Sequence, residues 1–97
     1  MALYAAWLEI VDRELNQKIR PQHLSYVQSL YREGKVAWAG PFSDRSGGMV
    51  VYQATTEEEA RDFARNDPAV TSGARTLIFK TWELLDWEHL DPTAPLS

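Results

Sequence analysis

His23 is the residue of this chain best suited by type and setting to acid–base chemistry. It lies in Arg20-Pro21-Gln22-His23-Leu24. Proline is favoured at the first helical position, so this segment predicts a helix over Pro21–Glu33, with Gly34 as its stop. At 100° per residue, His23 shares a stripe with Val27 and Leu30, the stripe that would face a core. In the first turn of such a helix the dipole disfavours an imidazolium. A neutral ring there suits taking a proton, or donating a hydrogen bond to a carbonyl. The plainer alternative is a satisfied, half-buried histidine that only fastens the helix, and from the pattern alone that role is the commoner one.

Five further groups bear on the same chemistry. Asp67 precedes Pro68 and reads as the N-cap of a single turn; its functional alternative is a carboxylate that orients His23. Asp44 sits in the turn Ser43–Gly48, where aspartate is favoured merely as a turn former. Arg20 is either a clamp for an anionic substrate group or a solvated charge beside the helix start. Tyr4, Trp38 and Trp82 line a pocket, or serve as core and interface like most strand aromatics. Backbone amides near Gly40 are candidates for steadying negative charge that develops on a substrate, with Pro41 beside it as a substrate-binding candidate.

Other chemistries are poorly supplied. There is no cysteine, which removes disulfides, thiolate catalysis and Cys-based zinc sites. With His23 and His89 the only histidines, a multi-histidine metal site in one chain is not expected. Ser46-Gly47-Gly48 lacks the spacing of a phosphate-binding loop, and there is no Gly-x-Ser-x-Gly elbow. Glu57-Glu58-Glu59 is a helix-start charge run. The net charge of −4 and the absence of any Lys/Arg cluster argue against nucleic acid or an anionic membrane as partner. No run of about 18 apolar residues is present. The N-terminus lacks the basic region of a signal peptide, so a cytoplasmic location is expected. Nothing in the residues calls for a cofactor.

The elements that must position these residues read as β-α-β-β-α-β. Strands are predicted at Leu3–Ile10, Val36–Ala39, Met49–Ala54 and Arg75–Trp87. Besides the Pro21 helix, a second runs from the cap Thr56, with Glu59 closing a capping box, to about Arg65. Asn66-Asp67-Pro68 breaks it. The 97 residues allow one domain, read as 1–87 with a C-terminal tail at 88–97. The order is that of a ferredoxin-like α+β fold, an antiparallel four-stranded sheet with both helices on one face. Such a sheet should alternate apolar and polar residues if its open face meets water. Here both faces are apolar: Leu3, Ala5 and Trp7 oppose Tyr4, Ala6 and Leu8, and the other strands behave alike. A second copy of the sheet is the simplest cover, so a homodimer packed sheet against sheet is expected. It would also house part of an unusual load of four tryptophans.

In this order and spacing, Arg20-Pro21-Gln22-His23-Leu24, Gly34-Lys35, Ala39-Gly40-Pro41-Phe42, Asp44 with Gly47-Gly48, Glu58-Glu59-Ala60, and Asp67-Pro68-Ala69-Val70 with Gly73 resemble the YciI-like (YCII-related) proteins. The resemblance spans about Leu3 to Trp87. It implies a dimeric α/β barrel, and an active-site pair of His23 with an aspartate, Asp67 before Asp44. It also implies kinship with small cofactor-free enzymes acting on ring-cleavage lactones and chlorinated hydroquinones, and so shifts His23 toward a functional role. Ala69 departs from the family pattern, which often has an aromatic residue there, and is expected to reshape the pocket wall. Two functions follow: a cofactor-independent enzyme using His-assisted proton transfer (elimination, isomerisation or hydrolysis), or a non-catalytic dimer that binds a small ligand or regulates a partner. A heme or flavin monooxygenase on the same barrel is a weaker third.

Overall fold

The computed structural model describes residues 2–95. Its elements are β1 (Ala2–Ile10), α1 (Arg13–Arg32), β2 (Val36–Pro41), β3 (Gly47–Tyr52), α2 (Glu57–Arg65), the single turn α3 (Pro68–Thr71) and β4 (Arg75–Glu83). The strands form one antiparallel sheet in the order β2-β3-β1-β4, the ferredoxin-like arrangement.

The main departure from the sequence reading is α1. It starts at Arg13, and its cap is Asp12, whose carboxylate accepts from the Leu15 amide at 3.0 Å. Pro21 lies inside the helix. The first two turns are polar because the position they turn inward is Asn16, which is 8 % exposed. A polar residue at the buried position erases the apolar period by which a helix is recognised. His23 is therefore in mid-helix, not in the first turn, and the N-terminal dipole does not account for its state. The other end holds: Gly34 adopts φ +78°, and the Lys35 amide closes on Leu30 O at 2.9 Å.

Two smaller differences have similar causes. β4 ends at Glu83, not Trp87; Glu83 pairs with Ala2, the first residue of β1. Residues 84–95 then run as turns and irregular chain, and Leu96 and Ser97 of the proposed tail lie outside the described residues. β3 starts at Gly47, and the glycines are required there. A Cβ on Gly47 would stand 2.0 Å from Leu8 O, and one on Gly48 would stand 2.7 Å from Gly40 O. α2 keeps its capping box, with the Glu59 amide on Thr56 Oγ1 at 3.1 Å and Glu59 Oε1 reaching back to the Thr55 amide.

The core lies between the helices and one sheet face. Tyr4, Ala6, Leu8, Val50 and Tyr52 meet Val27, Leu30, Ala60 and Ala64. The register puts Leu3, Trp7, Met49, Val51, Ile78 and Trp82 on the other face, with Trp38 beside Val51. Leu3 and Val51 are buried by their neighbours, but Trp7 is 46 % exposed, Ile78 50 %, Trp82 46 % and Trp38 63 %. Two of the four indoles, Trp7 and Trp82, thus stand on a face that no helix covers, and Trp38 stands at its β2 edge. No helix among the described residues is long and apolar enough to cross a membrane.

Candidate active site

One stripe of α1 carries the chemistry. Asn16, Arg20, His23, Val27 and Leu30 follow each other at intervals of three or four; all but the exposed Arg20 are buried against the sheet. The apolar half of the stripe fills the core. Of the polar half, Arg20 and His23 border a cavity of about 260 Å³ between α1 and the ends of β1, β2, β3 and β4. Leu8, Val27 and Val50 supply apolar wall, Gly40 and Pro41 the strand edge, and Arg20, His23 and Arg75 the polar groups.

His23 is 7 % exposed and is held from behind by Asp67, which is fully buried. The imidazole Nδ1 lies 2.8 Å from Asp67 Oδ1 and 2.9 Å from Oδ2. A ring nitrogen facing two carboxylate oxygens donates to them, so Nδ1 carries the hydrogen and Nε2 is left as the acceptor of the neutral ring. Among the described residues, no protein group bonds to Nε2. Asp67 is fixed in turn by its place in the chain. It caps α3, with Oδ1 accepting from the Ala69 amide at 2.9 Å, and Pro68 stands at the first position of that turn. The capping role and the orienting role are thus played by one side chain at once.

Beside the pair, the Tyr52 hydroxyl is buried with no partner. Burial, then the charge of Asp67, then Tyr26, holds this phenol far above its ordinary range. Tyr26 is pushed up to about 12 by burial and by Asp67, and its hydroxyl donates to Phe63 O at 2.7 Å. Replacing Tyr52 by Phe keeps the ring against Phe63 (centroids 5.8 Å apart) and deletes only the orphan hydroxyl. Urea denaturation is expected to show unchanged stability or a gain of up to about 1–2 kcal/mol. A clear loss would mean the hydroxyl has a partner.

The other candidates separate. Arg20, Gly40 and Pro41 border the cavity with His23. Asp44 does not join the pair: it is exposed in the β2–β3 turn, where its Oδ1 accepts from the Ser46 amide at 2.9 Å and hydroxyl at 2.7 Å. Those bonds hold its carboxyl below the usual range. It is the turn former that composition suggests. Tyr4 is a core residue stacked on Phe79 (centroids 6.1 Å), away from the cavity wall. Trp38 borders a shallower hollow between α1 and β2, and Trp82 pairs with Leu3 on the open face. Ala69 is fully buried behind Asp67 and not in the cavity wall, so its small side chain does not enlarge the site as expected.

Sequence reasoning missed Asn16 and Arg75. Arg75 opens β4 opposite Ile10, is 9 % exposed, and its Nε donates to Asn16 Oδ1 at 2.8 Å. Running the His23 stripe back through Arg20 leads to Asn16. Counting β4 by twos from Leu77 leads to Arg75. Among the described residues no three His, Asp or Glu side chains converge as a metal site.

Comparison with known proteins agrees with this architecture. The model of the YCII-related domain matches residues 2–83. The Bacillus subtilis (strain 168) protein named "Uncharacterized protein YjpA" is 37 % identical over 77 residues, which cover 79 % of this chain and 91 % of that protein. Among solved structures, 5-chloro-2-hydroxyhydroquinone dehydrochlorinase (TftG) from Burkholderia phenoliruptrix AC1100, in complex with 2,5-dihydroxybenzoquinone, superimposes with a TM-score of 0.73. It covers 92 % of this chain and 99 % of its own, at 21 % identity, a likeness of fold. On the family match and the identity to the Bacillus protein together, this chain belongs to the YCII-related domain family.

Proposed function

We propose that this protein is a cofactor-independent enzyme that moves a proton on a small organic substrate, with His23 as the acid–base group and Asp67 as its positioning residue. The observation that carries this reading is the imidazole Nδ1 held by both oxygens of a fully buried carboxylate, with the ring at the wall of a cavity. A histidine that merely fastened its helix would not need one nitrogen left unbonded beside that space. Asp67 fixes the tautomer and orientation of the ring, and its charge steadies the imidazolium formed when Nε2 takes a proton. Gly40 and Arg20 border the same space and would meet negative charge developing on the substrate.

Elimination is the favoured reaction class, since a neighbour of the same fold is a dehydrochlorinase. In that step Nε2 takes a proton from substrate carbon or hydroxyl. The freed electron pair forms the new double bond, and the leaving group departs with its own bonding pair. The imidazolium then returns its proton to water. Isomerisation would use the same two groups, with the proton returned to another substrate atom.

The functional unit in this proposal is a homodimer packed through the open sheet face, and its location is the cytoplasm. Turnover of halogenated hydroquinones and small lactones by wild type, His23→Ala and Asp67→Asn tests the mechanism. Loss of His23 is expected to lower kcat by about 10²- to 10⁴-fold. Loss of the orienting carboxylate should lower kcat with little change in KM. Equal rates from wild type and His23→Ala would remove His23 from the reaction. A ligand that raises Tm and is recovered unchanged would instead indicate a binding module.

A further inference from the structure

The Arg75 side chain has an arrangement that packing alone does not require. Arg75 as a residue is only 9 % exposed and borders two cavities, yet among the described residues its guanidinium forms no ion pair. One hydrogen bond holds it, from Nε to the neutral amide oxygen of Asn16. Its other donors make no bond to the protein among the described residues. Burial pulls its pKa below the ordinary value; the charge of Asp67 opposes that pull and Arg20 adds to it. Asp67 itself is already engaged by His23 and the Ala69 amide. A buried cation without a contacting counter-charge is costly, so a partner from outside the chain is the economical explanation.

The surroundings have the same sign. Arg75 and Arg20 border both the His23 cavity and an adjoining hollow of about 210 Å³, which Arg13 and Arg45 also border. No acidic side chain lines either space. Four of the ten Lys and Arg residues of a chain with net charge −4 thus gather at one place. Such a concentration draws anions toward the site.

We propose that Arg75 and Arg20 form a carboxylate-binding subsite at the end of the His23 cavity, with Asn16 as the positioning residue for Arg75. The ligand is then a small organic carboxylate. Its anionic group meets the planar donor fork of Arg75, which matches a carboxylate with two parallel bonds. Its apolar body lies against Leu8, Val27 and Val50. A space of about 260 Å³ falls just below the roughly 300–1,000 Å³ of pockets for drug-sized molecules, which suits a single substituted ring. Asparagine at position 16 is central to this assignment. A neutral acceptor aims the guanidinium without cancelling its charge, whereas an aspartate there would hold Arg75 equally well and neutralise it.

This subsite rests on the reading of the His23 cavity as a substrate site, but its test reads binding and not turnover. Isothermal titration of the full-length protein compares benzoate with its neutral isostere benzamide. Benzoate is expected to bind about tenfold tighter or more, with the preference abolished in Arg75→Met and reduced in Arg20→Gln. Because Arg75→Met removes a buried side chain and could unfold, Asn16→Asp is the decisive variant. It should keep or raise Tm, through an internal Asp–Arg pair, while losing the preference for benzoate. His23→Asn should lose turnover and keep that preference, so failure of the proton-transfer mechanism and failure of the subsite give different results. The proposal is overturned if benzoate binds no better than benzamide, if neither binds, or if Asn16→Asp retains the wild-type preference. Displacement of benzoate by inorganic phosphate at equal concentration would overturn the carboxylate assignment.

Discussion

Asp67→Ala is expected to cost about 2–4 kcal/mol of folding stability, a large share of the 5–15 kcal/mol typical of a whole domain. Two losses add. The Ala69 amide loses its cap, worth about 1 kcal/mol. The buried Nδ1–H of His23 is left without an acceptor, which costs a further 1–3 kcal/mol. Both groups are shut away from water, since Asp67 and Ala69 are fully buried and His23 nearly so. Solvent therefore cannot replace the carboxylate. Asp67→Asn should be much milder, because the amide oxygen can still accept from one of the two donors. Urea denaturation at matched protein concentration measures both. A loss in Asp67→Ala no greater than in Asp67→Asn would show that the carboxylate contributes little to holding α3 against α1. Asp67→Asn is thus also the variant in which catalysis can be judged on a folded protein.

Trp7→Glu is expected to halve the solution mass. Light scattering after size exclusion should give about twice the 11.1 kDa chain mass for the wild type, and the chain mass for the variant. Trp7 lies on the central strand β1, paired with Met49 on one side and Ile78 on the other, in the middle of the open face. Its indole packs on Phe42 (centroids 4.7 Å) but remains 46 % exposed. A glutamate there can reach water in a single protomer, so the fold should survive. Two copies meeting across a two-fold axis would bring both carboxylates into an apolar interface, where an unpaired charge is strongly disfavoured. A wild-type mass of 11.1 kDa at micromolar concentration would remove the dimer, and the open face would need another occupant.

Much of the fold was legible because its signals are local. Thr56 and Glu59 mark a helix start, Gly34 a helix end, and Asp67-Pro68 a capped turn, each through bonds to residues at most five away. The absence of apolar–polar alternation in the strands showed that the open face is apolar as well. At α1 the reading departed because a long-range contact hid the helical pattern. Asn16 turns inward to meet Arg75, 59 residues away, and breaks the apolar period of the first two turns, while Asp12, the cap that starts the helix before Arg13, is a local signal. β4 ends at Glu83, which pairs with Ala2, the first residue of β1.

The site divides along the same line. By themselves, the sequence and its family motifs determined that His23 and an aspartate are the acid–base candidates. They could not choose between Asp67 and Asp44 by physics, because both aspartates satisfy local turn chemistry equally well. Only the tertiary structure decided it. The packing of α3 against α1 brings Asp67, 44 positions along the chain, to 2.8 Å from His23, while Asp44 spends its carboxylate on Ser46. Only the tertiary structure, too, placed Arg75 beside Arg20 at the end of that cavity. Local propensity records what a residue does with its chain neighbours; which charge faces which across a cavity is set by how helix and sheet come together.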